Sequence, residues 1–253
     1  MSAPERPVQM RLDRLLANMG YGSRKEVQGL ARAGLIVLDG APVTDADQRI
    51  AVTADLPQRM RVQGVALDPP PPLTLMLHKP LGVTCSHKEA GALVYELLPQ
   101  RWRRREPAIS TVGRLDKDTS GLLLMTDDGG LLHRIISPRS HVDKRYSVTL
   151  DRPMQGDEAE RFAAGTLLLE DDPKPLAPAQ LEILSPTSAR LTITEGRYHQ
   201  VRRMFAAVGN HVTALHRDRV GGLDLPADLE AGQWRQMSPR DLEVLFTVDI
   251  AGP

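Results

Sequence analysis

Gly113-Arg114-Leu115-Asp116-Lys117-Asp118-Thr119-Ser120-Gly121 lies between two apolar runs, Ile109–Val112 and Gly121–Thr126. Short apolar runs bounded by turn-forming residues read as strands, so the charged stretch is the loop that joins them. Asp116 sits in that loop with Arg114 and Lys117 close by and hydroxyls three and four residues on. A carboxylate flanked by cations stays ionised and can serve as nucleophile or base. The same spacing fits an Asx-type turn with no chemistry at all, because Asp, Ser, Thr and Gly favour turns. Outward from this loop, further strands are expected at Leu73–Leu77, Arg145–Leu150, Ala179–Leu184, Arg190–Thr194 and His211–Leu215. Helices are expected at Ala92–Leu98, Gly130–Ile136, Glu158–Ala164 and His199–Val208. Strands interleaved irregularly with few helices predict an α+β fold with a mixed or antiparallel sheet, not a doubly wound one.

The N-terminal part reads differently. Leu12, Leu15, Leu16 and Met19 form one apolar helix face, which Gly20 and Gly22 end. Ser23 and Glu26 have the spacing of a capping box for a second helix carrying Val27, Leu30 and Ala31 and stopping at Gly34. Leu35–Leu38, Asp39-Gly40 and Pro42–Thr44 then read as strand, tight turn, strand. Pro69–Pro72 reads as a stiff extended spacer. The expected division is therefore a small domain over 8–68, a proline linker over 69–72 and a larger domain over 73–253.

Composition narrows the function. A chain of 253 residues can bury a core without covalent staples, and its one cysteine, Cys85, excludes a disulfide framework and a Cys-rich zinc site. No apolar run approaches the ~18 residues of a membrane span, and Met1–Pro7 lack the order of a signal peptide, so a soluble, cytoplasmic protein is expected. The 32 basic and 32 acidic side chains cancel in total but not locally. Residues 73–150 carry 12 basic against 8 acidic, and 190–219 carry 6 against 2, whereas 151–189 carry 3 against 8 and 220–253 carry 2 against 6. Neutrality thus conceals segments that can meet phosphates, or merely solvated charge. Phosphate-binding, dinucleotide-binding and serine-hydrolase motifs are missing, and His199, His211 and His216 lack the spacing of a helical metal site. The reaction, if there is one, is expected to need neither cofactor nor metal. A second stretch, Glu195-Gly196-Arg197-Tyr198-His199-Gln200-Val201-Arg202-Arg203-Met204-Phe205, leads through a turn into a helix with Val201, Met204, Phe205 and Val208 on its apolar face. Arg202 and Arg203 lie off that face, pointing into a cleft or simply into solvent.

Taken together, GRLDKDTSGLLLMTDDG from Gly113, the KRY at Lys144–Tyr146, EGRYHQVRRMFAAVGNH from Glu195, the Lys79-Pro80-Leu81-Gly82 turn and HRDRVGGLDL from His216 resemble the pseudouridine synthases. More narrowly, they are similar to the RsuA-type branch, the small-subunit ribosomal RNA enzymes. The N-terminal region resembles the S4 RNA-binding module through Arg11-Leu12-Asp13, Gly22-Ser23-Arg24 and Leu35–Gly40. The resemblance implies isomerisation of a uridine in 16S ribosomal RNA, at the uridine-516 site, with no cofactor. It implies Asp116 as catalytic aspartate, Tyr146 stacking on the base, Arg202 pairing with the aspartate and holding it ionised, Leu215 packed beside the tyrosine, and Arg114 entering the space left by the extruded nucleotide. Arg24 and Lys25 would dock RNA, and basic residues at 101–105, 134–145 and 197–203 would hold flanking phosphates. The expected partner is ribosomal RNA, with no membrane and the chain acting as a monomer. Two alternatives stand beside this: the same chemistry on large-subunit ribosomal RNA, and a non-catalytic RNA-binding assembly factor.

Overall fold

The computed structural model describes residues 7–86, 90–137, 140 and 142–247. They form two compact units, one of residues up to 73 with 98–110 and 126–128, the other of the remainder.

In the N-terminal unit, β1 (Val8–Arg11) leads into α1 (Leu12–Asn18), α2 (Arg24–Arg32) and a small sheet of β2 (Ile36–Leu38), β3 (Ala41–Pro42), β5 (Met60–Val62) and β6 (Val65–Ala66), while β4 (Arg49–Val52) pairs with β1 and α3 (Leu56–Arg59) precedes β5. The expected apolar face is the core: Leu12, Leu15, Leu16 and Met19 are fully buried with Val27, Ala31, Ile36 and Met60. Both halves of the capping box form, Ser23 Oγ accepting from the Glu26 amide at 3.3 Å and Glu26 Oε2 from the Ser23 amide at 2.7 Å. The two strands β1 and β4 carry none of the strong alternation that marks a strand in sequence, and they emerge only as a pair.

Of the basic residues at 101–105 expected to hold phosphates, Arg101 and Arg105 are engaged within this unit, whereas Arg103 and Arg104 are exposed. Arg101 is clamped on Asp68, Nε to Oδ2 at 2.7 Å, and lies 4.2 Å over the Tyr21 ring. Arg105 is buried against Asp127 at 3.1 Å, with both side chains 1% exposed, and also donates to the Pro69 carbonyl at 2.9 Å. The buried Arg105 guanidinium, matched to Asp127, serves the fold and is not free to meet a phosphate. Pro69, at the start of the proline run, is tied to Arg105 of its own unit, and the Pro71–Pro72 peptide is cis.

The second unit is a mixed sheet, consistent with the α+β class. Its strands are β7 (Thr74–Lys79), β8 (Ser110–Thr111), β9 (Thr119–Thr126), β10 (Lys144–Leu150), β11 (Gln180–Ser185), β12 (Ser188–Ile193), β13 (Val212–Val220), β14 (Leu223–Asp224) and β15 (Trp234–Gln236). The order is β11-β12-β10-β13-β9-β7-β15, with β14 on β13 and β8 on β9. β9 and β13 run parallel, whereas β10 is antiparallel to both β12 and β13. Helices α4 (Gly129–Ile136), α5 (Glu158–Ala163), α6 (Gln200–Ala207) and α7 (Pro239–Leu245) accompany it. The expected helix at Ala92–Leu98 is only a 3₁₀ turn, Val94–Leu97, because Ala92 and Val94 spend their backbone groups on Thr84. The strand expected at His211–Leu215 runs on to Val220, through residues too polar to read as a strand.

Candidate active site

The Gly113–Gly121 loop is held from beneath by Lys79, at the end of β7. Its side chain is fully buried, and its ammonium spends all three protons on carbonyls: Thr119 at 2.8 Å, Asp116 at 3.0 Å and Pro80 at 3.1 Å. Burial pulls the Lys79 pKa down, while the carboxylates of Asp116 and Asp118 act the other way. The Gly82 amide reaches the Lys117 carbonyl at 2.8 Å, and the Thr119 amide closes a turn on the Asp116 carbonyl at 3.1 Å. The two sequence readings of Asp116 are therefore compatible, since its backbone makes the turn and its side chain lines a cavity. Behind the loop, β9 and β13 approach so closely at Gly121, φ +116°, that a Cβ there would lie 2.2 Å from the Arg217 carbonyl oxygen. Only glycine fits.

The cavity measures about 380 Å³. Asp116, Arg114, Tyr146 and Leu215 all line it, as do Lys144, His199 and Arg217. Tyr146 and Leu215 are buried on the neighbouring strands β10 and β13, and Arg114 is exposed at the cavity's edge. Tyr146 is directly opposite Arg217, whose Nη1 approaches the phenol oxygen at 3.4 Å and whose Nε donates to the Leu122 carbonyl at 2.8 Å.

Arg202 departs from its expected place. Its Nη2 pairs with Asp118 Oδ2 at 2.9 Å and donates to the Asp118 carbonyl at 3.0 Å, and its Nη1 donates to the Val212 carbonyl at 2.9 Å. The guanidinium thus ties α6 to the loop beside Asp116 without pairing with Asp116. The residue that does approach Asp116 is His199, Nε2 to Oδ1 at 3.4 Å. It precedes α6 in a left-handed conformation, φ 48° and ψ 33°, and its ring stacks on Tyr198 with centroids 3.8 Å apart.

The other expected phosphate contacts are mostly engaged within the unit. Arg197 and Arg203 both reach Asp172, at 3.7 and 3.0 Å, and Arg203 also donates to the Glu170 carbonyl. Arg145 is shared by Asp218 at 2.6 Å and Asp224 at 2.9 Å, and Arg134 lies 3.6 Å over the Phe246 ring. Arg139 lies outside the described residues. Asp172 of the acidic segment 151–189 and Asp224 of the C-terminal one thus pair with arginines of the basic segments. In the N-terminal unit Arg24 grips Asp13, Nη2 to Oδ2 at 2.9 Å, with its side chain half exposed, while Lys25 is exposed. Among the described residues no cluster of three His, Cys, Asp or Glu could hold a metal, and no helix is long and apolar enough to cross a membrane.

Sequence reasoning missed Lys79, Lys144, His199 and Arg217 as working parts of this site. Arg217 had one signal, a strand register that sets it two residues from Leu215 on the same face. His199 had none, since its approach to Asp116 depends on a left-handed backbone that a non-glycine residue rarely adopts.

Comparison with known proteins agrees with this geometry. Residues 74–207 match the RNA pseudouridylate synthase family, and residues 10–55 match the S4 domain. Ribosomal small subunit pseudouridine synthase A of Escherichia coli (strain K12) is 43% identical over 242 residues, 92% of this chain and 98% of that protein. An RNA pseudouridine synthase of Bacillus subtilis (strain 168), itself named as uncharacterized, is 39% identical over 241 residues, 93% of this chain and 98% of that one. A crystal structure of a pseudouridylate synthase superposes with TM-score 0.65 at 34% identity, covering 93% of this chain and 99% of the other. Motifs, fold and cavity converge, and the chain belongs to the RNA pseudouridylate synthase family, with an S4 domain at its N-terminus.

Proposed function

We propose that this enzyme isomerises one uridine of small-subunit 16S ribosomal RNA, at the uridine-516 site, with Asp116 as nucleophile and no cofactor. The observation that carries the chemistry is the Asp116 carboxylate on the wall of a cavity shared with Tyr146 and Leu215. A base taken out of its stack costs a few kcal/mol, and a ring with apolar walls repays that on arrival. Asp116 acts while the C1′–N1 bond breaks, the freed uracil turns, and C5 bonds to C1′ as its proton leaves. Atoms are conserved, so no co-reactant is needed. The small-subunit assignment is supported by likeness to the Escherichia coli protein over nearly the whole of both chains.

The test is site-resolved mapping of pseudouridine in small- and large-subunit ribosomal RNA that lacks the modification, after incubation with wild type and with Asp116→Asn. One new small-subunit site, absent with the variant, is the expected result. A large-subunit site overturns the substrate and keeps the chemistry, and full activity of Asp116→Asn overturns the nucleophile.

A further inference from the structure

We propose that Lys144 and Arg217 form a cationic wall of the Asp116 cavity that stabilises the negative charge placed on uracil when the C1′–N1 bond breaks. The inference rests on the function proposed above and assigns a role to two residues that function did not use.

Their placement follows from strand geometry. Lys144 is two residues before Tyr146 on β10, so both side chains leave the same face of the strand. On β13 the pairing steps from Arg145↔Arg219 to Tyr146↔Arg217, so Asp218 is an extra residue in a bulge. Asp218 turns its carboxylate to Arg145 and to the Ser147 hydroxyl, at 2.6 and 2.7 Å, and Arg217 joins Tyr146 and Lys144 in lining the cavity.

The two cations are held but not neutralised. Lys144 Nζ donates to the Val142 carbonyl at 2.6 Å, and Arg217 is 4% exposed with its carbonyl contact at Leu122. Neither is ion-paired with a carboxylate among the described residues. Burying cations this way is costly, and elsewhere the chain avoids it: Arg105 has Asp127, and Lys79 spends every ammonium proton on a carbonyl. Lys144 and Arg217 keep unspent N–H groups at a cavity that receives a base. Burial, and then repulsion from Arg217, bring the Lys144 pKa down to about 8, with Asp143 acting in the opposite sense. The ammonium is still charged at neutral pH and close to losing its proton.

The chemistry supplies the missing anion. The electron pair of the C1′–N1 bond leaves with the base, and its charge spreads over N1, O2 and O4. The pair returns when C5 bonds to C1′, the C5 proton leaves, and N1 takes up a proton, so the wall is needed only between the two steps. Fixed donors aimed at charge that appears only during reaction are worth most where water is excluded.

The charged groups acting on Lys144 are Arg217 from β13 and the adjacent Asp143, while Asp116, Tyr146, Glu195 and His199 are further titratable groups of the cavity. Substituting Lys144 alone leaves all of these in place. The experiment is single-turnover pseudouridine formation at saturating enzyme, from neutral to alkaline pH, with RNA affinity measured in parallel. Wild type is expected to slow as pH rises through about 8, where the ammonium deprotonates. Lys144→Gln is expected to be about a hundredfold slower with RNA affinity unchanged. Lys144→Arg is expected to keep most of the rate and to lose the alkaline decline, because arginine stays protonated. A Lys144→Gln rate equal to wild type overturns the inference, as does a loss confined to RNA affinity, which would make the wall a phosphate anchor. An alkaline decline that persists in Lys144→Arg also overturns it. An inactive wild type, by contrast, overturns the proposed function itself.

Discussion

The tripeptide Arg-Leu-Asp occurs twice, at 11–13 and at 114–116, and the two copies do opposite things. In the first, Arg11 turns back onto its own aspartate, Nη2 to Asp13 Oδ2 at 2.9 Å, and Arg24 grips the same carboxylate. Asp13 is fully buried and its bonding capacity is consumed. In the second, Arg114 lies at the edge of a cavity, and the nearest cation-forming partner of Asp116 is a histidine at 3.4 Å. Identical local sequence is therefore silent about whether an aspartate is a strut or a reagent. The distinction is made by what the fold brings from outside the tripeptide: a second arginine, on the next helix, in one case, an open cavity in the other.

Substitution should separate the two sharply. Asp116→Asn is expected to lower the rate of pseudouridine formation by about 10⁴-fold or more, with no loss in melting temperature. A large fall in melting temperature would mean that Asp116 is a strut after all. Lys79→Met breaks the contrast from the other side, because Lys79 supports the fold and the reagent at once. Removing its ammonium leaves the carbonyls of Pro80, Asp116 and Thr119 unsatisfied in a buried site, a cost of about 3 kcal/mol or more. Denaturant melts should show that loss, and the residual folded enzyme should be slow because the loop carrying Asp116 is no longer pinned. Wild-type turnover in the folded fraction would show that the loop holds its shape without the ammonium.

Much of this was legible in the sequence, and what was not depends on partners that lie elsewhere in the fold. The N-terminal helices and the strands β9, β10 and β12 are announced by local patterns, apolar faces and a capping box, that need no distant partner. Asp116, Tyr146 and Leu215, singled out from separate motifs, line one cavity. The misread arginines involve charge. Arg101, Arg105, Arg197 and Arg203 look like phosphate ligands until the fold supplies Asp68, Asp127 and Asp172. Arg202 reaches Asp118 in place of Asp116, two residues away in sequence. The polar second half of β13 reads as a loop because Arg217 and Asp218 find their partners across β10 and β9. A charged side chain advertises its sign locally, and its counter-charge is a long-range property.

The smallest effect belongs to Asp13, and it sharpens the comparison because stability alone should change. Asp13→Asn is expected to cost about 1–2 kcal/mol, less than a fully buried pair would lose, because the Arg11 and Arg24 side chains are 37% and 52% exposed and partly screened by water. Its catalytic rate on folded enzyme should equal wild type. Burial alone would raise the Asp13 pKa, but the hydrogen bonds from Arg11 and Arg24 together prevail and hold it at about 2, below the 3.8 of an unstrained aspartate. A carboxyl whose pKa is lowered by folding stabilises the native state at pH values above its unfolded pKa. That contribution must fade as pH falls from about 3.8 through about 2, as the unfolded chain takes up the proton that the native state still refuses. Acid titration of stability in wild type and Asp13→Asn should therefore give curves that are separated at neutral pH and converge below pH about 2. A separation that stayed constant into acid would show that Asp13 acts through packing and not through its charge.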